Sequence, residues 1–362
     1  MPSVCNDNTI FDYDVLIIGA GPAGAILARL LKKHFRIGII DKKHAGTDSF
    51  HKPCGGLLST DAQQALSRFG LTLPKELLVS PQIFAVKTID LGSGLIRHYQ
   101  RFYMNMDRHK FDLWLMSLMG EDIDLLPGRC SAISRNRDSF SVEYVGETVE
   151  RNLSCRYIVG ADGAASIVRR SLFPSEKLRQ YMAIQEWYPE NHANPFYSCV
   201  FDSETSDCCS WSISKDNYFI FGGAFAKKNA HENFEKQKEK LRTFGFLFTE
   251  PIKTEACLVN RPSGWHDFCI GGHGAFLVGE AAGFISPSSL EGFSWAIKSA
   301  TQLAEALIKA PVGGANALYR RKTFTLRCKL MMKVLKSPFL YQPFLRRLVM
   351  KSGINSIDMI DS

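Results

Sequence analysis

The stretch YDVLIIGAGPAGAILARLLKKHFRIGIIDKK, residues 13 to 43, constrains the fold more than any other part of the chain. An apolar run from Val15 to Ile18 suits a parallel strand buried on both faces. Gly19, Gly21 and Gly24 follow in G-x-G-x-x-G spacing, Ala25 to Leu31 continue as a helix, and Arg36 to Ile40 read as a second strand ending on Asp41. Small residues let the backbone turn sharply and approach a pyrophosphate, whose charge meets the amides and dipole of a helix N-terminus. Asp41 is placed to accept hydrogen bonds from a ribose 2′-hydroxyl, which favours FAD or NAD over a 2′-phosphorylated nucleotide. Strand, helix and acid in register predict dinucleotide binding.

Two later segments repeat the strand-to-turn pattern. YIVGADGAASIVRR ends a strand at Gly160 and presents Asp162-Gly163 before a short helix. AFLVGEAAGFISPSSLEGFSWAIKSA ends a strand at Gly279-Glu280 and runs through a loop to Glu291-Gly292 and a helix. One large cofactor spread along a sheet edge would require such a set of turns. The Glu280 carboxylate would hydrogen-bond a ribityl chain, and the amides at Gly292 would point toward a pyrimidine carbonyl. Because the motifs fall early, midway and late, the cofactor domain is expected to be discontinuous, over 1–81, 106–170 and 258–312. The β-rich stretches 82–105 and 171–257 are predicted to form a substrate domain covering the cofactor, and 313–362 a basic helical C-terminal cap. HENFEKQKEKLRTF reads as a charged amphipathic helix, most simply a solvated surface element.

Together GAGPAG, GADGAASIVR and GEAAGFISPSSLEG resemble the glutathione-reductase-type, Rossmann-like FAD fold shared by aromatic hydroxylases, flavin halogenases and geranylgeranyl reductases. KPCGG, Lys52 to Gly56, and MDRHKFDLWL narrow the resemblance to the geranylgeranyl reductase family, in which the chain is most similar to bacterial CbrA-like flavoproteins. The resemblance implies an α/β fold, FAD as cofactor, and a set of site residues. Gly19, Ala20, Gly21, Ala23, Gly24 and Asp41 would bind the dinucleotide end, and a side chain at Gly24 would press on the pyrophosphate. Cys130, Asp162, Gly279, Glu280, Gly292 and Phe293 would follow the rest of the cofactor, with Arg108 reaching it from a helix start. KPCGG would fold back over the flavin, with Gly55 and Gly56 serving close backbone approach. Cys54 and Lys52 are the candidates for chemistry: Cys54 as a proton relay beside the isoalloxazine, Lys52 as a cation for reduced flavin or an anionic substrate. Trp211 and Phe221 are the candidates for a substrate pocket.

The chain departs from the family pattern at two places. Glu280 stands where Gly-Asp is usual, one methylene longer. Cys209-Ser210-Trp211-Ser212-Ile213-Ser214 keeps a tryptophan but lacks the first aromatic and the proline of the reductase and halogenase signatures. His51 and His109 are assigned no role, and neither a Ser/His/Asp set nor a metal-ligand pattern is visible.

The formal net charge of +8 is concentrated at one end. Eleven Lys or Arg and no Asp or Glu occur between Ala306 and Ile357, which leaves the remainder of the chain slightly acidic. Cations interleaved with Phe, Leu, Met and Val suit contact with an anionic membrane surface; nucleic acid is not expected as a partner. Ten scattered cysteines without a CxxC pair, and an N-terminus without a basic start or apolar core, fit a reducing cytoplasm. The leading functional expectation is an FAD-dependent reductase of carbon–carbon double bonds in a polyprenyl or other lipid. A monooxygenase or halogenase stands second, and an FAD-binding regulatory or resistance protein third. NAD(P)H or a ferredoxin-like protein would supply the electrons.

Overall fold

The computed structural model describes residues 11–42, 52–146, 148–174, 178–190 and 197–360, and along them the chain passes repeatedly between two sheets. Strands β1 (Tyr13–Ile18) and β2 (Ile37–Asp41) begin the first sheet, and β3 (Leu57–Leu58), β4 (Ile83–Asp90) and β5 (Leu95–Asn105) the second. The chain returns to the first sheet with β6 (Asp124–Arg135), β7 (Phe140–Gly146) and β8 (Glu150–Gly160). It then completes the second with β9 (Gln180–Pro189), β10 (Tyr197–Phe201), β11 (Cys209–Lys215), β12 (Tyr218–Ala226) and β13 (Lys253–Asn260). Finally β14 (Gly271–Gly272) and β15 (Ala275–Leu277) close the first. The helices are α1 (Pro22–Leu31), α2 (Thr60–Ser67), α3 (Arg108–Ser117), α4 (Ile167–Leu172), α5 (Ala230–Arg242), α6 (Phe293–Lys309), α7 (Ala315–Lys322), α8 (Phe324–Lys336), α9 (Pro338–Tyr341) and α10 (Pro343–Ser352).

The first sheet has a parallel centre. β1 pairs with β2 on one side and with the end of β8 on the other, and β15 extends the sheet beyond β8. Val15, Leu16 and Ile17 are 0% exposed in the core that β1 shares with α1 and with the antiparallel extension of β6 to β8, which is why the strand reads as an unbroken apolar run. β6 and β8 are long enough to belong to two layers of pairing. Asp124–Pro127 of β6 run parallel to β2, and the rest of β6 turns antiparallel to β7. β8 does the same, pairing with β7 through Cys155 and with β1 thereafter. The fold is the α/β, Rossmann-like FAD-binding class, with a helical C-terminal region.

The second sheet runs β13-β9-β12-β11-β10-β4-β5-β3, with only β10–β4 parallel among its neighbours. Its outer face is aromatic. Phe219, Phe221 and Phe225 alternate along β12 and meet Phe234 and Leu241 of α5. α5 is an amphipathic surface helix with His231, Glu232, Lys236, Glu239 and Arg242 exposed, but its packed face is not wholly apolar: Lys238 is buried and reaches Glu186 at 2.7 Å, and Gln237 donates to Thr205. β3 lies within the span expected for the cofactor domain, and β13 runs three residues past the expected boundary at 257, yet both pair into the second sheet.

The C-terminal helices strap the two sheets together. Tyr319 on α7 donates to the carbonyl of Leu277 in β15, and Arg327 on α8 lies over the Trp265 ring at 4.8 Å. Farther along, Arg346 pairs with Asp90 at the end of β4, and Arg97 of β5 donates to the Met350 carbonyl. Among the described residues no helix is long and apolar enough to cross a membrane.

Candidate active site

A cavity of about 880 Å³ lies between the sheets, within the size range of cofactor and ligand sites. Its walls gather the three glycine motifs, KPCGG, Arg108 and the inner face of the second sheet.

At one end, β1 stops at Ile18 and Gly19 turns with φ of 104°. A Cβ there would fall 2.6 Å from the Ala161 carbonyl oxygen, so only glycine lets the first motif lie against the second. Gly21 then caps α1 in extended backbone without a side-chain hydrogen bond, leaving the first-turn amides available to an anion. Asp41, at the tip of β2, accepts from the Ala20 amide and lines the cavity. Gly24 has a different task from the one the sequence suggested. It does not line the cavity, and a Cβ on it would overlap the carbonyl oxygen of Gly19 and approach Ala161 at 3.4 Å. The glycine is needed for helix–strand packing, not for space beside a phosphate.

In the middle, Asp162 accepts from the Ile167 amide at 2.7 Å through Oδ2, while its buried Oδ1 has no hydrogen-bond partner. Burial pushes this carboxyl up to about 6, against the pull of hydrogen bonds from Ser166 and Ile167. Cys130, beside a bulge in β6, lines the same wall, its thiol pushed up to about 12 by burial with a further contribution from Asp162. A carboxylate in the cavity wall with an oxygen left unpartnered fits the hydroxyls of a nucleotide cofactor. Free α1 amides and Asp41 at the far end fit its pyrophosphate and ribose. The residues present therefore suit FAD: Gly19, Gly21, Ala23, Asp41, Cys130, Asp162, Gly292 and Phe293 would line it. Ala20, Gly24 and Gly279 lie behind this wall. Gly279, with φ of 57°, packs against Ala23 and Ala296, and so draws α1 and α6 together.

At the other end the KPCGG segment meets the third motif. Lys52 donates to Glu280 Oε2 at 2.7 Å, and Glu280 Oε1 accepts the Asn260 amide at 2.9 Å. A Cβ built on Gly163 would lie 3.6 Å from Lys52 Nζ and 3.7 Å from Glu280 Oε2, so three distant segments converge within one contact shell. The longer reach of glutamate spans this gap. Burial works against the Lys52 charge, but the Glu280 carboxylate outweighs it and holds the ammonium above its ordinary range. Arg108 opens α3 and is clamped by Asp112 at 3.0 and 3.2 Å, with its guanidinium 4.6 Å from the Phe293 ring centre. Burial opposes that charge too, and Asp112 and the Cys54 sulfur, within hydrogen-bonding reach, keep it firmly protonated.

The two glycines of KPCGG face the protein as well as the cavity. A Cβ on Gly55 would sit 2.8 Å from Ile213 and 3.6 Å from Trp211. Gly56, at φ of 62°, would direct a Cβ into the Met106 carbonyl and to 2.8 Å from Lys215 Nζ. The close approach they serve is thus to β11, and Trp211 is where the loop presses on the second sheet. Trp211 lines the cavity, but Phe221 does not. Phe221 lies on the opposite face of β12, stacked on Phe234 at 5.4 Å, because alternation sends it to the α5 side. The cavity aromatics the sequence left unmarked are Phe102, Tyr103 and Tyr197, the two tyrosines edge to face at 5.6 Å. His109 on α3 is not among the lining residues, and His51 lies outside the described residues.

Lys215 also went unmarked, since a single lysine at a strand end carries no sequence signal. It is 5% exposed and donates to Asn105 Oδ1 at 2.7 Å and to the carbonyls of Met106 and Gly56 at 2.6 and 3.4 Å. Burial pulls its ammonium down to about 8, partly offset by Cys54, Asp107 and Asp216. From about pH 8 to the ordinary lysine range near 10.5, the unfolded chain therefore holds the extra proton. Relative to a Lys215→Met variant, stability of the native protein is expected to rise across that window, by on the order of 2–3 kcal/mol. Paired urea titrations at pH 8 and pH 10 measure this; parallel behaviour of both proteins would show that Lys215 titrates normally.

The comparisons with known proteins agree with the geometry. The FAD binding domain family matches residues 12–64 and 129–323. Protein CbrA of Escherichia coli O9:H4 (strain HS) is 50% identical over 350 residues, covering 96% of this chain and 95% of that protein. In fold, the chain is similar to a geranylgeranyl bacteriochlorophyll reductase-like protein from Thermoplasma acidophilum (TM-score 0.68, 20% identity, 96% and 88% of the two chains). It is as similar to a probable FAD-dependent monooxygenase from Pseudomonas aeruginosa (TM-score 0.69, 17% identity, 95% and 99%). At these identities the solved structures speak for the architecture alone. The cavity lined by three glycine motifs, with an unsatisfied carboxylate oxygen in its wall, belongs to a chain that is a member of the FAD binding domain family and a homologue of the CbrA proteins.

Proposed function

We propose that this FAD-binding protein is an oxidoreductase that saturates a carbon–carbon double bond in an apolar, lipid-like substrate. The observation that supports this most is the composition of the cavity wall that adjoins KPCGG. Tyr103, Tyr197, Trp211, Ile213, Val259 and Leu290 form an apolar lining across the same cavity into which Cys54 opens. FAD, when bound and reduced, supplies the hydride. The chain's own residues supply the rest. The lining orients the double bond and excludes water. Cys54 carries the proton that the second carbon requires, so one hydride and one proton add across the bond and the cofactor is left oxidised. The sulfur left behind is met by the Gly56 amide at 3.4 Å and by the Arg108 guanidinium. Lys52, anchored by Glu280, places a second cation at the same end of the cavity. NAD(P)H or a ferredoxin-like protein would return the electron pair.

The test separates two half-reactions by anaerobic stopped flow. Reoxidation of the dithionite-reduced protein by polyprenyl lipids is expected without oxygen, giving a product two hydrogens heavier. In Cys54→Ala that step should slow by roughly 10²–10⁴-fold, the usual contribution of a positioned acid. Reduction of the flavin by its donor needs no proton from Cys54 and should change little. Strict dependence on oxygen, with an oxygen atom in the product, would replace the reductase reading by a monooxygenase.

A further inference from the structure

The C-terminal helices carry a surface that the cavity does not explain. Leu335, Phe339, Phe344 and Leu348 are 63, 52, 72 and 52% exposed, large apolar side chains left in water on consecutive helices. On α10, Phe344, Arg347, Leu348 and Lys351 recur at helical spacing, so apolar and basic side chains share one exposed face. Lys336 and Lys329 add charge along α8, and α8 to α10 contain no Asp or Glu. An exposed apolar patch of this kind marks an interaction site. Cations on helices that contain no acid of their own favour an anionic partner, and protruding Phe and Leu need a medium they can enter.

The position of this face is as informative as its chemistry. A second depression, lined by Ser288, Lys333, Lys336, Phe339 and Leu340, adjoins the main cavity and shares Lys333 with it. Tyr341 fixes α9 beside it by donating to the Ser288 carbonyl at 2.7 Å. We infer that the α8–α10 face docks on an anionic lipid bilayer, with Phe339, Phe344 and Leu348 entering the interface and the depression facing the lipid. The contact is that of short amphipathic helices lying at the membrane surface, none of the described helices being long and apolar enough to cross it.

Vesicle flotation of the full-length, FAD-loaded protein tests this without any turnover, so its failure is distinct from failure of the proposed reaction. Binding is expected to vesicles of phosphatidylcholine with phosphatidylglycerol, to weaken with salt, and to be much poorer to phosphatidylcholine alone. Phe344→Glu/Leu348→Glu and Lys336→Glu/Arg347→Glu should each reduce it about tenfold or more while keeping FAD content and unfolding midpoint. Three results would overturn the inference: no vesicle binding by the wild type, equal binding by the variants, or a stronger affinity for duplex DNA. So would a solution dimer that these substitutions dissociate, since the face would then be covered by a second copy.

Discussion

Gly24→Ala should give a protein with little or no bound FAD. The added methyl would overlap the Gly19 carbonyl oxygen, which cannot retreat, because Gly19 donates to the Ile40 carbonyl at 2.8 Å and lies against Ala161. Either α1 moves off the sheet or β1 distorts, and both displace the amides and the Asp41 carboxylate that the dinucleotide end needs. Forced overpacking of this kind costs about 3 kcal/mol or more when backbone is the obstacle, which is a loss of about a hundredfold in cofactor affinity. A Cβ on Gly92, in the β4–β5 turn, would meet nothing closer than 3.7 Å, so Gly92→Ala serves as the matched control. FAD stoichiometry from absorbance, with the urea midpoint of each protein, reads out the effect. Full occupancy and wild-type stability in Gly24→Ala would remove the packing argument.

Arg346→Met should loosen the C-terminal strap and cost about 3–5 kcal/mol, the range for breaking a buried ion pair by deleting one member. Arg346 and Asp90 are 3% and 2% exposed, and the guanidinium also holds the carbonyls of Leu340 and Tyr341 and lies 5.1 Å from the Phe201 ring centre. Its deletion strands a carboxylate inside the interface between α10 and the second sheet, where no other cation among the described residues is paired with it. Part of the loss should return in Arg346→Met/Asp90→Asn, because the stranded charge is then gone. Urea titration of the three proteins tests both statements. A single variant within about 1 kcal/mol of wild type would mean that the pair contributes as little as an exposed one.

Local pattern was enough for a good part of this molecule. Gly19, Gly21 and Asp41, with a buried strand on each side, specify a βαβ unit and an anion site by chain geometry alone. Glycine followed by an acid marks the second and third turns for the same reason: each is decided by residues a few positions apart. The charge asymmetry of the tail is equally local, since eleven cations without an acid are visible before any folding. The roles that came out differently belong to residues whose neighbours are remote in sequence. Gly24 is small for the sake of Gly19, and Gly55, which also lines the cavity, for the sake of Ile213 and Trp211.

Which face a residue takes on a sheet depends on what covers that sheet. Phe221 and Trp211 look alike as pocket candidates, yet α5 claims one and the cavity keeps the other. Glu280 meets Lys52 across 228 positions, and Lys215 meets Met106 across 109. Residue types and spacing determined the glycine turns that line the cavity, their scatter along the chain and the basic tail. Only the tertiary structure decided which carboxylate keeps an oxygen free, which lysine is buried, and which aromatics face the cavity. Burial and ion pairing are properties of segments brought together by folding, and no local pattern encodes the partner.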